Sequence, residues 1–329
     1  MKLLVTGGAG YIGSHAVRAL IDRGHTVVVL DNLSTGYEMA IDSRAVFYKG
    51  NLQDKAFLET MMAKEQFDGV MHFAAKSLVG ESMIKPLMYF DNNVYGTQIL
   101  LEVMQAYAVK QIVFSSTAAV YGEPVGIPIL ESHPTEPINP YGSSKLTMEK
   151  LMHWSSSSFG LRYVSLRYFN VAGAHESGEI GEAHNPETHL IPIVLQVPLG
   201  KRQNMSIFGK DYDTADGTCI RDYIHIDDLI RAHVLAMEKL SEGMECQIIN
   251  LGGGTGFSNL EIVEAARGIT GHVIPVEFED RRPGDPAILI ASNAKAKEVL
   301  GWEPLKNDLK LIIKSAWQFH VNKPNGFEV

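Results

Sequence analysis

In the first half of the chain, short β-branched apolar runs alternate with stretches whose apolar residues recur at helical spacing. The runs KLLVT, TVVVLD, AVFYKGN, GVMHFAA, QIVFSS and YVSLRYFN predict six strands, and residues 11–23, 54–64, 92–107 and 143–158 predict helices between them. Largely apolar strands joined by helical crossovers make a parallel sheet covered on both faces. The predicted fold class is therefore α/β, a doubly wound parallel sheet of the Rossmann type. After Asn170 the rhythm breaks into a segment rich in Gly, His, Glu and Pro, residues 172–192. The later runs IPIVLQV, MSIFG, IINLG and VEFED predict a smaller mixed α/β domain. With the boundary near residue 175, residues 1–175 form the first domain and 176–329 the second. The stretch RDYIHIDDLIRAHVLAME opens as a strand and continues as a strong helix, so part of 221–240 is expected to pack back on the first domain.

Composition narrows the partners. A chain of 329 residues that is 45% hydrophobic can bury a sizeable core. Its formal net charge of −9 argues against a nucleic-acid surface, which needs clustered Lys and Arg to displace counterions. The longest apolar runs, such as TVVVL and LIPIVL, fall far short of the roughly 20 residues that cross a bilayer. No charged-then-apolar leader precedes the first strand, so no membrane association is expected. Two cysteines, Cys219 and Cys246, without a pairing motif or histidines at metal spacing, predict a reducing, cytoplasmic setting and no metal site.

TGGAGYIG, residues 6–13, joins the first strand to the first helix. Glycines at 7, 10 and 13 allow a tight turn, close backbone approach, and a helix N-terminus whose amides face a pyrophosphate. A glycine-rich surface turn would explain the composition but not the strand–loop–helix setting. Asp31 ends the second strand 18 residues after Gly13, near the offset at which a carboxylate accepts hydrogen bonds from ribose hydroxyls. The same charge repels a 2′-phosphate, so the expected cofactor is NAD rather than NADP.

In YGSSK, Tyr141 and Lys145 stand four residues apart at a helix start and share one face. A phenol of pKa about 10 is a poor base at neutral pH, but a nearby ammonium and a positive nicotinamide ring both favour phenolate. A single YxxxK is common on amphipathic helices. The pair gains weight from TGGAGYIG upstream and from the hydroxyls of SSTAAVYG, residues 115–122, at an intermediate strand end.

With these motifs the chain resembles the extended short-chain dehydrogenase/reductase family, and within it the UDP-sugar 4-epimerases. The resemblance covers essentially the whole chain. It is carried by TGGAGYIGSH, LDNLSTG, HFAAKSLVGES, DNNVYGT, SSTAAVYG, NPYGSSK, LRYFNVAGA, IFGKDYDTADGTCIRDYIHIDDL and RRPGDPA. It implies that Gly7, Gly10, Tyr11, Ile12, Gly13, Asp31, Asn32, Leu33, Ser34, Thr35, Gly36, Asn51, Leu52, Phe73, Ala74, Ala75, Lys76, Ser77, Asn92 and Phe169 surround NAD. Thr117, Tyr141 and Lys145 are implied as the reacting set, which also touches the cofactor. Asn170, His189, Leu190, Ser206, Ile207, Phe208, Arg221, Arg282, Asp285 and Leu289 are implied as contacts of the UDP-sugar. For Arg221 and Arg282 the chemistry agrees, since a guanidinium fork suits a diphosphate. The family often has Ser where this chain has Thr117 and Asn where it has His189. Some relatives have Lys where it has Ser77, beside Lys76.

The implied activity interconverts UDP-galactose and UDP-glucose. Tyr141 takes the O4 proton as C4 is oxidised to a 4-keto sugar, and reduction on the other face inverts the centre. Relatives that dehydrate nucleotide sugars place Asp and Glu directly after the strand-end Thr to expel a hydroxyl. Here Ala118 and Ala119 stand in those places, and neither transfers a proton. Packing of a tight turn is the plainer reason for two alanines. A net NAD-dependent nucleotide-sugar dehydrogenase or reductase would use the same Tyr and Lys but release its cofactor; a non-catalytic dinucleotide sensor would be expected to lose one of them. In the family, the residue at Leu289 helps decide whether an N-acetyl group fits, being a bulky Tyr in narrow epimerases and Cys or Ser in broad ones. Turnover of UDP-N-acetylglucosamine and UDP-N-acetylgalactosamine is therefore an alternative. Leu100, Leu101, Met104, Leu151, Met152 and Trp154 exceed what one sheet-facing stripe needs, and the resemblance implies that their two helices pair in a homodimer.

Overall fold

The computed structural model describes residues 1–282 and 285–327. All six strands expected in the first half are present: β1 (Lys2–Thr6), β2 (Thr26–Asp31), β3 (Val46–Lys49), β4 (Gly69–His72), β5 (Gln111–Thr117) and β6 (Arg162–Tyr168). The second half adds β7 (Asn170–Ala172), β8 (Met205–Phe208), β9 (Ile220–His225), β10 (Gln247–Leu251), β11 (Gly256–Ser258), β12 (Val276–Glu279) and β13 (Ile288–Leu289). The main sheet runs in the order β10-β6-β5-β4-β1-β2-β3, with every pairing parallel. The strand order reverses between β1 and β4, which opens a crevice at their C-terminal ends.

The helices are α1 (Tyr11–Asp22), α2 (Lys55–Glu65), α3 (Val79–Ile84), α4 (Pro86–Tyr89), α5 (Gly96–Ala106), α6 (Pro140–Phe159), α7 (Leu190–Gln196), α8 (Ile226–Ser241), α9 (Asn259–Thr270), α10 (Ala294–Leu300) and α11 (Leu309–Asn322). α6 starts three residues before the expected 143, because Asn139 caps it and Pro140 takes the first helical position, where no amide hydrogen is needed. That early start puts Tyr141 in the first turn. The helix expected over 92–107 is instead a π-helical turn, Phe90–Tyr95, followed by α5; the wide turn carries the fully buried Asn93. The run IPIVLQV folds as most of α7. Ile191, Val194 and Leu195 are buried at helical spacing, and Pro192 is tolerated in the first turn.

One face of the main sheet packs α1 and α8 through Val17, Leu20, Leu229, Val234 and Met237. The other packs α2, α5 and α6 through Leu58, Leu100, Met104 and Met152. The chain returns to the first domain well after residue 175, since α8 lies on α1 and β10, from the run IINLG, pairs with β6. A second core joins α7, α9 and α11 around Val194, Ile262 and Ile312. Here β9 is flanked by β11 and β13 and also pairs with β7, while β8 pairs with β12.

The apolar surplus expected on α5 and α6 is mostly used within the chain. Leu100, Leu101, Met104 and Met152 are buried in their own core, because both helices face the sheet and each other; Trp154 alone of the six is exposed, at 68%. Other exposed apolar side chains on the preceding helices α3 and α4 are Val79, Met83, Ile84 and Leu87. Among the described residues, no helix is long and apolar enough to cross a membrane.

Candidate active site

The chain leaves β1 through Gly7, whose φ of 74° favours glycine. A Cβ on Gly7 would lie 2.6 Å from the Ala74 amide nitrogen, and one on Gly13 would lie 2.1 Å from the Gly7 carbonyl oxygen. The turn itself excludes side chains at both positions. At Gly10 the nearest atom to an added Cβ is 3.4 Å away, so the fold leaves that place open. α1 begins there with no side chain capping it, which leaves its first amide hydrogens pointing at the opening. An open glycine under uncapped helix amides fits a pyrophosphate.

Asp31 borders the same loop. Its Oδ2 accepts from the Ala9 amide at 3.0 Å and its Oδ1 from the Leu33 amide at 2.8 Å. The carboxylate thereby ties the glycine loop to the 32–36 turn, where Leu33 takes a left-handed φ of 59°. Gly36 presses on Ala9, since a Cβ there would lie 2.7 Å from the Ala9 carbonyl carbon. Burial raises the Asp31 pKa, and the Leu33 and Ala9 amides oppose that rise. Thr35, with Gly10 and Tyr11, lines a small cavity beside this wall.

β4 supplies the opposite wall. The Phe73 amide donates to the Thr6 carbonyl at 2.9 Å. Asn93 holds the 73–77 turn in place: its Oδ1 accepts from the Lys76 amide at 2.8 Å, and its Nδ2 donates to the Lys76 carbonyl and to Ser144 Oγ, each at 3.0 Å. The sequence reading passed over Asn93 in favour of its neighbour Asn92, whose Nδ2 donates to Asn93 Oδ1 at 2.9 Å. The paired asparagines of DNNVYGT were the available signal. Asn51 is exposed, whereas the Leu52 side chain belongs to the core below.

Thr117 at the end of β5 meets Tyr141 in the first turn of α6. Thr117 Oγ1 accepts from the Ala119 amide at 3.2 Å. Tyr141 is only 9% exposed; burial raises its pKa, and the neighbouring Thr117 hydroxyl opposes the rise. Lys145, one turn on, is buried with its Nζ 2.7 Å from the Ser115 carbonyl oxygen and 4.9 Å above the centre of the Phe114 ring. Burial lowers its pKa to about 7, against the attraction of Glu149. The lysine thus donates a hydrogen bond to the strand carrying Thr117. The small residues after Thr117 also pack closely, since a Cβ on Gly142 would lie 2.4 Å from the Ala119 carbonyl oxygen.

Beneath this set lies a buried polar network absent from the sequence reading. Glu149 accepts from Ser116 Oγ at 2.5 Å and from Arg167 Nε and Nη2 at 2.9 and 2.6 Å. Arg167 Nη1 donates to the Tyr121 hydroxyl at 3.0 Å, which donates to Asn250 Oδ1 at 2.6 Å. Breaking such a buried pair leaves an uncompensated charge at about 3–5 kcal/mol. The network locks α6 to β5, β6 and β10.

Facing this end, register in the smaller lobe sets Arg221 opposite Leu289 and Tyr223 opposite Asn170. Arg221 is ion-paired with Asp285, and the Arg282 guanidinium lies 3.9 Å above the Phe208 ring. Leu289 and Phe169 pack on Val120, Tyr121 and Ile129, which places Leu289 between the end of β5 and Arg221. Ser206 is half-buried and Ile207 points into the core, so the latter can meet a ligand only through its backbone. His189 precedes α7, with Leu190 its first residue. Pro283 and Gly284 of RRPGDPA lie outside the described residues.

A glycine loop open to a pyrophosphate, an acid at the second strand end and a Thr–Tyr–Lys set facing a second lobe define a dinucleotide enzyme. Residues 3–252 match the sequence model of the NAD dependent epimerase/dehydratase family, and the chain belongs to that family. It is 54% identical over 327 residues, 99% of each chain, to a UDP-glucose 4-epimerase of Lacticaseibacillus casei. A crystal structure of a UDP-glucose 4-epimerase superposes with a TM-score of 0.98 at 56% identity, covering 100% of both chains. A Bifidobacterium longum UDP-glucose 4-epimerase, solved in complex with NAD+ and UDP, gives 0.94 at 39% identity over 99% of this chain and 100% of the other.

Proposed function

We propose that the chain is a UDP-glucose 4-epimerase, interconverting UDP-galactose and UDP-glucose through a 4-keto sugar. NAD is the cofactor and supplies the acceptor and donor of the C4 hydride. The wall formed by residues 7–13 and 31–36 holds its pyrophosphate and adenosine ribose. On the chain's side of the reaction, Tyr141 takes the O4 proton and returns it, Thr117 orients O4, and Lys145 holds the nicotinamide ribose. Arg221 and Arg282 grip the diphosphate, which anchors the nucleotide while the keto sugar turns over between its two faces.

The observation that carries this reading is the buried Thr117–Tyr141 pair beside Lys145, followed by Ala118 and Ala119. These residues supply a base and a clamp for O4, but no acid to expel a hydroxyl. Incubating the protein with UDP-galactose and resolving the products tests it: UDP-glucose at equilibrium supports epimerisation, and a 4-keto-6-deoxy sugar would mean dehydration. Leu289, half-buried at the β5 end and smaller than Tyr, favours a broader reading in which UDP-N-acetylhexosamines are also turned over. The enzyme is further proposed to act in the cytoplasm as a homodimer, with Trp154 at the interface.

A further inference from the structure

Between β7 and α7 the chain folds two carboxylates and two imidazoles onto one point. One ligand-type atom from each of Glu182, His184, Glu187 and His189 lies within 4.8 Å of all the others. His184 Nδ1 is 3.2 Å from Glu182 Oε1 and 3.8 Å from Glu187 Oε2. His189 Nδ1 is 2.5 Å from Glu182 Oε1 and 3.6 Å from Glu187 Oε1. A tetrahedral cation with ligands at about 2.0–2.1 Å holds those ligands roughly 3.3–3.4 Å apart. Three of these nitrogen–oxygen separations bracket that value, with Glu187 offering a different oxygen to each histidine, and the fourth is short by less than about 1 Å.

We infer that Glu182, His184, Glu187 and His189 form a site for one divalent transition-metal ion of the zinc class. Two nitrogens and two oxygens are a donor set suited to that class, and two carboxylates balance its charge. The donors are also held from behind. Glu187 Oε1 accepts from the Thr188 and His189 amides at 2.8 and 2.9 Å, which holds the carboxylate in place. Glu182 is 4% exposed, an expensive place for a carboxylate without a cation. Among the described residues, His184 Nδ1 is buried and makes no hydrogen bond of good geometry, despite its closeness to Glu182. That nitrogen sits within ion-pair distance of both carboxylates without a well-directed hydrogen bond, and a cation between them would take it as a ligand.

The ion would be structural. The cluster closes the segment leading into α7, whose start carries His189 and Leu190, and the His184 ring stands edge-on to Tyr11 of the glycine loop at 6.4 Å between centres. It therefore braces the cofactor wall against the nucleotide end. The expectation of no metal site weighed cysteines; the signal was the spacing Glu-x-His-x-x-Glu-x-His across 182–189. The inference does not rest on the catalytic reading, although it uses His189, which the resemblance also implies as a UDP-sugar contact.

Purified holoenzyme, stripped with a chelator and titrated with Zn2+, tests it by bound-metal analysis and thermal unfolding. One Zn2+ per chain and a raised unfolding temperature are expected. Glu182→Gln and His184→Ala, with folding checked by circular dichroism, should weaken binding by at least ~10-fold. Co2+ bound to the unaltered chain should show the intense visible absorption of four-coordinate geometry, a readout that does not depend on the variants folding. No stoichiometric uptake, equal uptake by folded variants, or a six-coordinate Co2+ spectrum would overturn the assignment.

Discussion

Lys145 Nζ lies 2.7 Å from the Ser115 carbonyl oxygen, inside the chain and above the face of Phe114. A lysine whose charge is buried at a cost to stability has a measurable signature. The group titrates near 10.5 when exposed and near about 7 in the fold. Below pH 7 the folded chain carries the full penalty of the buried charge. Between 7 and 10.5 the unfolded chain binds more protons than the folded one, so the penalty falls away as pH rises.

Lys145→Met should therefore stabilise the NAD-free protein near pH 7 by on the order of a few kcal/mol while removing turnover, and this gain should shrink toward pH 10.5. Thermal unfolding of both proteins at neutral and at alkaline pH checks it. An equal difference at both would contradict a depressed lysine.

Tyr141→Phe should lower turnover by about 10²–10⁴-fold while NAD stays bound, as read from kinetics and the absorbance of the purified protein. Because burial raises the Tyr141 pKa, the phenol is neutral near pH 7 until a positive nicotinamide ring arrives. Tyrosinate absorbance in an alkaline titration should accordingly appear at lower pH with NAD bound than without. A near-normal rate in the variant would mean that another group is the base.

The legible part of this molecule is what local chemistry writes into short stretches. Alternating runs gave β1 to β6, and Gly7, Gly10 and Gly13 marked a loop whose need for glycine is visible in the chain's own backbone contacts. Tyr141 and Lys145 were legible because helix geometry puts i and i+4 on one face. Asn93, Glu149 and Arg167 were not, because their partners lie 17, 51, 33 and 18 residues away and only the sheet order brings them together. IINLG gave no hint that it would join the main sheet, since a parallel strand looks alike wherever it pairs. Leu100, Leu101, Met104 and Met152 looked surplus because a sequence shows the width of an apolar face but not how many neighbours cover it.

Leu289→Tyr should cut the kcat/KM for UDP-N-acetylglucosamine by at least ~10-fold more than that for UDP-galactose, because the larger ring fills the space beside Phe169 and the end of β5. Steady-state kinetics on both substrates decides it. Equal losses on both would show that Leu289 packs the strand without reading the sugar.

Trp154→Glu should shift the protein from dimer to monomer at micromolar concentration, since the indole is 68% exposed on a helix whose other large apolar residues are covered. Light scattering on variant and unaltered protein measures it. A monomeric unaltered protein would contradict the homodimer.

The central claim is a reversible oxidation at C4 with no net redox change. The most direct test is to give purified protein UDP-galactose with no added NAD, following products by chromatography and the nicotinamide by absorbance. Sustained formation of UDP-glucose to equilibrium, without accumulation of NADH, is the predicted result. Turnover that requires stoichiometric NAD and leaves NADH in solution would contradict it and make the chain a dehydrogenase.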